Sequence, residues 1–225
     1  NLKIMSMNQK STNLDVVLLC GGKGKRLKPL TENIPKPMVE IKNKPILSYI
    51  LEHLHSQGIK RIHVATGYKH QIVSNYIENL VTTMSVKTIY SGDADIIKRI
   101  KDAGKFISGD FLVLYGDTIS DVDITKLIKF HSNTVFKASM TVWPMRSQFG
   151  LVEFDCNGKV KSFLEKPILD KYINIGYFYF NHEILKIMKS YNSWEVFLNE
   201  MVQKGILGAF KHQGMHITVN TVEDL

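Results

Sequence analysis

Apolar positions along this chain follow two different periods. Val16 to Cys20 and Phe111 to Tyr115 are short runs without polar interruption, and they predict strands buried on both faces. Between them the apolar residues recur at helical spacing. Ile46, Leu47, Ile50, Leu51 and Leu54 follow Pro45 and stop at Gly58, and Ile72, Val73, Tyr76, Ile77 and Leu80 repeat the stripe. Ile96, Ile97 and Ile100 begin a third helix that Asp93 or Asp95 is placed to cap, and Asp123 is placed to cap a fourth over Ile124, Leu127 and Ile128. Further strands are predicted over 60–66 and 84–90.

Strand and helix therefore alternate over residues 14–130, which predicts a three-layer α/β/α Rossmann-like domain with a mostly parallel sheet. Right-handed crossovers would bring every strand's carboxyl end to one rim. From 134 onward the segments shorten, with strands at 134–142, 150–155, 159–164 and 174–180, helices at 182–190 and 194–204, and strands near 207–211 and 215–219. Asn157-Gly158 between two of these strands signals a hairpin. Residues 1–13 are polar and aperiodic and read as a tail or linker. The remainder, 14–225, reads as a single domain whose first half is 14–133 and whose mixed-sheet second half is 134–225. Both ends read as cut from a longer chain.

Composition narrows the function classes. At 225 residues and 44 % hydrophobic, the chain can bury a full core. No apolar run reaches the ~18 residues of a membrane helix. Two cysteines, Cys20 and Cys156, make no disulfide framework, and a reducing cytoplasm is the expected compartment. Cys20, at a strand end, reads as a small buried hydrophobe, and His63 as a core-edge histidine. The formal charge of +8 suits polyanionic ligands, and without a nucleic-acid-binding motif it favours small phosphorylated substrates.

The first strand ends on Gly21, Gly22 and Gly24, with Lys23, Lys25, Arg26 and Lys28 crowding the same turn. Glycine lets a ligand approach the backbone closely, and N–H groups beside four cations make a cradle for polyphosphate. The spacing is neither a Walker loop nor the dinucleotide fingerprint. Downstream, Pro35 and Pro37 flank Lys36 and are expected to hold it on a stiff extended stretch. Asp117, following Gly116 at a strand end, suits a hard cation such as Mg2+, which takes one or two carboxylates plus phosphate oxygens. Taken without the glycine loop it reads rather as a helix-capping or turn aspartate.

Strand-G-G-x-G-x-R-L-x-P-L-T followed by P-K-P-M-V resembles the signature of the sugar-1-phosphate nucleotidyltransferases. A second match is Phe149-Gly150 with Phe163-Leu164-Glu165-Lys166-Pro167, and a third is Asn174-Ile175-Gly176-Tyr177. Within that family the second half is most similar to the glucose-1-phosphate cytidylyltransferases, through the Arg146 to Gly150 run, Ser193-Trp194-Glu195 and Gly205 to His212. The Lys98-Arg99-Ile100 run also lines up. The resemblance implies transfer of NMP from an NTP, CTP first and GTP second, to a sugar 1-phosphate, with release of pyrophosphate. It implies that Leu19, Gly21, Gly22, Gly24 and Gly92 hold the nucleotide and that Arg26, Lys25 and Lys36 neutralise developing charge. Gly150, Glu165, Lys166, Asn174 and Gly176 would hold the sugar phosphate, and Asp117 with Asn220 would hold Mg2+. Nucleic acid and membrane are not expected partners; a homo-oligomer is compatible with the pattern.

Three departures stand out. Asn220 replaces the family's second metal-binding Asp, the base-contacting loop is shortened to Ser91-Gly92-Asp93-Ala94-Asp95, and Gly214-Met215-His216 lacks the expected aromatic. Two alternatives remain at this level. Asp121-Val122-Asp123 mimics the Asp-x-Asp of metal-dependent glycosyltransferases, which consume nucleotide sugars. Asn220 and the cut ends also suit a non-catalytic domain that senses nucleotide sugars.

Overall fold

A seven-stranded sheet carries every other element. The computed structural model describes residues 12–219, so Asn220 and most of the expected tail lie outside the described residues. The first half contains β1 (Thr12–Cys20), β2 (Glu40–Ile41), β3 (Lys44–Pro45), α1 (Ile46–Ser56), β4 (Ile59–Thr66) and α2 (His70–Glu78). It continues through β5 (Ser85–Tyr90), α3 (Ile96–Gly104), β6 (Phe111–Tyr115), β7 (Thr118–Ser120) and α4 (Ile124–Ser132). The second half contains β8 (Ala138–Arg146), β9 (Leu151–Phe154), β10 (Val160–Leu164) and β11 (Ile168–Phe180). It closes with α5 (Ile184–Met188), α6 (Trp194–Gln203), β12 (Leu207–Lys211) and β13 (His216–Thr218). The strand order is β12-β8-β11-β6-β1-β4-β5, and β11 alone runs antiparallel to its neighbours.

The continuous apolar runs are explained by burial on both faces. From β1, Val16 and Leu18 point into a core shared with Ile46, Leu47 and Ile50 of α1 and Val73 of α2. Val17 points the other way, toward Ile97 and Ile100 of α3 and Trp194 and Phe197 of α6, where Phe178 and Phe180 of β11 also pack. Both clusters are fully desolvated, so truncating one of these aromatics should cost about 3–5 kcal/mol.

Two caps are those the sequence placed: Asp95 accepts from Ile97 N at 3.0 Å and Asp123 from Lys126 N at 2.9 Å. The structure adds a third, Ser193, which accepts from Val196 N at 3.4 Å. Cys20 is 1 % exposed and His63 is buried, with its Nε2 3.0 Å from Asp15 Oδ1.

Three expectations are corrected. β1 begins at Thr12, two residues inside the expected tail, because Thr12 already pairs with Ile59 of β4. β11 begins at Ile168 rather than 174, since its first residues pair with β8 while remaining largely exposed. Lys36 is not extended: Lys36–Met38 is a 3-10 turn, closed by Met38 N to Pro35 O at 2.8 Å and Val39 N to Lys36 O at 3.1 Å. Pro37 sits early in that turn, where its missing N–H removes a donor that would have had no partner.

Candidate functional site

The carboxyl ends of β1, β4, β5 and β6 meet on one rim, because these four strands are parallel and neighbours. Gly116 N donates to Leu19 O at 3.0 Å, so the turn after β6 lies directly against the end of β1. Between them opens a cleft of about 360 Å³ whose walls include Leu19, Gly22, Gly24, Lys25, Arg26, Lys36, Arg99, Tyr115 and Asp117.

Gly24 is the hinge of the glycine loop. It sits at φ +59, a left-handed conformation that glycine adopts at little cost, and a Cβ there would meet Thr31 Cγ2 at 2.9 Å and Lys36 Cβ at 3.1 Å. The Thr31 hydroxyl donates back to Gly24 O at 2.9 Å, and the Tyr68 hydroxyl reaches Thr31 O and Glu32 O at 3.0 Å each. The loop is thereby pressed against the turn that carries Lys36. Lys25 and Arg26 stand exposed on the cleft side of that loop.

Lys36 is 8 % exposed, and its ammonium donates to Asp117 Oδ2 at 2.7 Å. A cation this desolvated needs a counter-charge. The pair spans the cleft floor, with Thr118 Oγ1 3.4 Å from the other Asp117 oxygen. One carboxylate beside a phosphate cradle matches how Mg2+ binds, with phosphate oxygens and water completing its shell. Among the described residues no group of three His, Cys, Asp or Glu side chains could hold a metal by itself.

Arg99 is the residue that the motifs did not single out for the site. Its guanidinium occupies the space a side chain on Gly21 would need, and its Nη2 donates to Gly21 O at 2.9 Å and reaches Gly92 O at 3.5 Å. Gly67, after β4, packs against both of those carbonyls and the same guanidinium. One buried cation thus ties together the loops after β1, β4 and β5. Its Nε is buried with no hydrogen-bond partner among the described residues. Burial pushes the Arg99 pKa below its ordinary value, while Asp93 and Asp95 pull it back up. The visible signal was an arginine within the apolar stripe Ile96, Ile97, Ile100 of α3. Lys23 and Asp93 also bridge the outer edges of two of these loops, as an exposed ion pair that contributes little in water.

The residues expected to hold the sugar phosphate are placed differently. Asn174 Oδ1 accepts from Gly176 N at 2.8 Å. The Tyr115 ring fills the space beside Gly176, so the close approach that this glycine permits is made by a protein ring at the cleft wall. Burial raises the Tyr115 phenol's pKa, and Trp194 Nε1 donates to its oxygen at 3.0 Å. Gly150 faces the Phe163 ring and Glu165 Oε2. Glu165 and Lys166 are exposed, Lys166 at φ +44, and neither belongs to the cleft's walls.

The Asp-x-Asp alternative comes apart. The Asp123 carboxylate caps α4, while Asp121 Oδ1 lies 3.0 Å from His212 Nε2. The two do not form a common metal site.

Residues 15–216 match the family described as nucleotidyl transferase. The chain is 32 % identical to a glucose-1-phosphate cytidylyltransferase of Salmonella typhi, over 94 % of this chain and 93 % of that one. It is also 32 % identical to a D-glycero-alpha-D-manno-heptose 1-phosphate guanylyltransferase of Campylobacter jejuni, over 85 % of this chain and 87 % of that one. Among solved structures, HddC from Yersinia pseudotuberculosis superposes with a TM-score of 0.74 at 29 % identity, covering 94 % and 96 % of the two chains.

Proposed function

The chain belongs to the nucleotidyltransferase family and is a sugar-phosphate nucleotidyltransferase of the pyrophosphorylase type, and from that premise we propose that it uses CTP first and GTP second. The order follows the relatives: the cytidylyltransferase match spans more of the chain than the guanylyltransferase match. Residues 14–133 would serve the nucleotide and 134–225 the acceptor.

The observation that carries the assignment of roles is the Lys36–Asp117 contact, a desolvated cation and a carboxylate at the floor of a glycine-lined, lysine- and arginine-rimmed cleft. In the proposed reaction a phosphate oxygen of the sugar 1-phosphate attacks the α-phosphorus of the NTP. The bond from that phosphorus to the β-bridging oxygen breaks, and pyrophosphate leaves with the electron pair. The nucleophile is already an anion, so no side chain need abstract a proton. Catalysis then consists of positioning and charge neutralisation.

The N–H groups of Gly21, Gly22 and Gly24 would receive the triphosphate, and Arg26 with Lys25 the departing charge. Lys36 would sit between the α-phosphate and the acceptor, and Lys166 would hold the acceptor phosphate while Glu165 takes its hydroxyls. A bound divalent cation, which we take to be Mg2+, would be held by Asp117 and would supply charge neutralisation at the phosphates.

A pyrophosphate-release screen of four NTPs against a panel of sugar 1-phosphates tests this. Release with CTP and one sugar 1-phosphate is the expected result. Release confined to ATP or UTP would reverse the base assignment, and no release with any pair would sink the proposed role of the cleft.

A further inference from the structure

Helix α3 serves two cavities. Ile96 and Arg99, in its first turns, line the cleft described above. Its last turn opens on a second cavity, a groove of about 550 Å³, where Lys101 and Lys105 stand with Lys186 and Lys189 from the α5 segment and with His182. The groove lies at the other rim of the sheet, where β6 begins and β11 ends, because Phe111 pairs with Phe180 and His182 follows at once. The two helices touch there: a Cβ on Gly104 would stand 2.8 Å from Leu185 Cδ2, and both residues belong to the groove's walls.

The groove holds more positive charge than its surroundings answer. A cation at a helix's carboxyl end offsets the partial negative charge of the last carbonyls, and here each helix brings two. The neighbouring acids are engaged: Asp102 takes both Lys98 and Lys105, Glu183 takes Lys137 at 2.8 Å, and Asp110 accepts from the Tyr179 hydroxyl and His182 N. His182 Nε2 donates to Ile107 O at 3.2 Å. Lys101 donates to Tyr191 O at 2.7 Å, a partner without net charge. Lys186 and Lys189 are exposed and make no ion pair or side-chain hydrogen bond among the described residues. Charge of one sign around a concave wall concentrates counter-ions.

We propose that the groove between α3 and α5 is a second anion site, for a small organic molecule carrying two phosphoryl groups, and that its occupancy strengthens nucleotide binding in the cleft through α3. Lys101 and Lys105 are four residues apart on one helix, Lys186 and Lys189 three apart on the other, so each pair shares a face and can bracket one phosphoryl group. Gly104 and Leu185 supply uncharged wall for the body of the molecule. The volume is that of a small-molecule site, and the cations come from two helices rather than along one flat face, which favours such a ligand over an extended polyanion. An ammonium has three donors, so Lys101 can keep Tyr191 O and still reach a phosphoryl oxygen. Tyr191 lies in the link between α5 and α6; three residues on, Trp194 N donates to Asp95 at 3.2 Å and Trp194 Nε1 to the Tyr115 hydroxyl at 3.0 Å. A ligand that draws α3 and α5 together thus braces the helix that seats Arg99 on Gly21 O and Gly92 O. The coupling rests on the nucleotide binding proposed for the cleft; the site itself does not.

Butane-1,4-diyl bisphosphate, which has neither base nor sugar, is the probe. Calorimetric titration of the wild-type chain should show binding that Lys186→Ala/Lys189→Ala weakens about tenfold. Both lysines are exposed and lie outside the cleft, so this variant should keep its fold and its basal pyrophosphate release. Saturating probe should lower the wild-type KM for the NTP about fivefold, the low end of ordinary coupling, and leave the variant's KM unchanged. No binding by the wild type, or equal binding by both proteins, overturns the site. A KM raised equally in both would put the probe in the cleft and overturn it as well. Binding lost in the variant with an unmoved wild-type KM overturns the coupling. Capture of anionic phospholipid vesicles or of an oligonucleotide through the same lysines, without binding of the bisphosphate, would make the face a polyanion surface and overturn the proposal. The titration needs no substrate, so a chain that binds the probe yet releases no pyrophosphate would count against the function and not against the site.

Discussion

Lys36 and Lys166 both precede a proline and both are assigned to phosphate, yet they live in opposite surroundings. Lys36 is 8 % exposed, held by Asp117 at 2.7 Å and by a loop clamped through Gly24, Thr31 and Tyr68. Lys166 is exposed, at the end of a hairpin that forms its own two-stranded sheet apart from the seven-stranded one. The difference separates two ways of organising charge. The proposed nucleotide end is preorganised by burial, so its groups would not need ordering when a triphosphate arrives. The acceptor end keeps its cation hydrated, and much of what it contributes must be realised on binding.

Removing the buried partner should break this contrast most sharply. Lys36→Ala should lower turnover by ~10²-fold or more, comparable to deleting one oxyanion-hole donor, as read by pyrophosphate release at saturating substrates. Asp117→Ala should fall in the same range and leave Lys36 without its counter-charge. Near-normal turnover in either would show that burial of the pair is structural only.

Arg99→Lys should come next. It keeps the charge but loses the planar fork that reaches two loops, and hydrogen bonds from a charged group are each worth about 1.5–3 kcal/mol. The KM for the NTP should rise roughly tenfold, which is the low end of that range, while the acceptor KM stays level. Equal rises in both would reduce Arg99 to a general prop.

Lys166→Ala should show the mirror image, an acceptor KM raised by about tenfold or less because an exposed ion pair is weak, with the NTP KM unmoved.

The smallest effect is on stability. Burial pushes the Asp15 pKa up, but hydrogen bonds from Arg61 and His63 outweigh it and leave the carboxyl below its ordinary range. In the same way burial raises Asp102, and the Lys98 and Lys105 hydrogen bonds bring it down to about 2. Carboxyls depressed in the folded state contribute stability that is complete above the unfolded value near 4 and is lost as pH falls toward 2. Acid melting curves should therefore steepen between pH 4 and 2, and Asp102→Asn should flatten that limb.

Much of this was legible in the chain. Uninterrupted apolar runs marked the central strands because both faces are covered, and Asp95 and Asp123 marked two helix starts because each caps its helix. The glycine loop and Asp117 could be placed on one rim from strand order alone. Arg99 was not assigned a role, because whether a lone arginine on an apolar stripe is buried depends on what lies across it, and here that is the backbone of Gly21 and Gly92. The turn at Lys36 escaped because two prolines argue locally for extension, whereas the hydrogen bonds from Met38 and Val39 decide the matter. The β9–β10 hairpin was legible in its Asn157-Gly158 turn, but its exposure was not, because the sequence does not say when a covering layer is missing.

The two sulfhydryls divide along the same line. Cys20 is sealed beneath the glycine loop, and burial together with the nearby Asp117 charge pushes its pKa well above the ordinary thiol range, so alkylating reagents should pass it by. Cys156 lies open at the hairpin tip. A chain so built comes with a single chemical handle already attached to its least supported element, and the rate at which that handle is capped would report, without any engineering, how much of the hairpin is shielded.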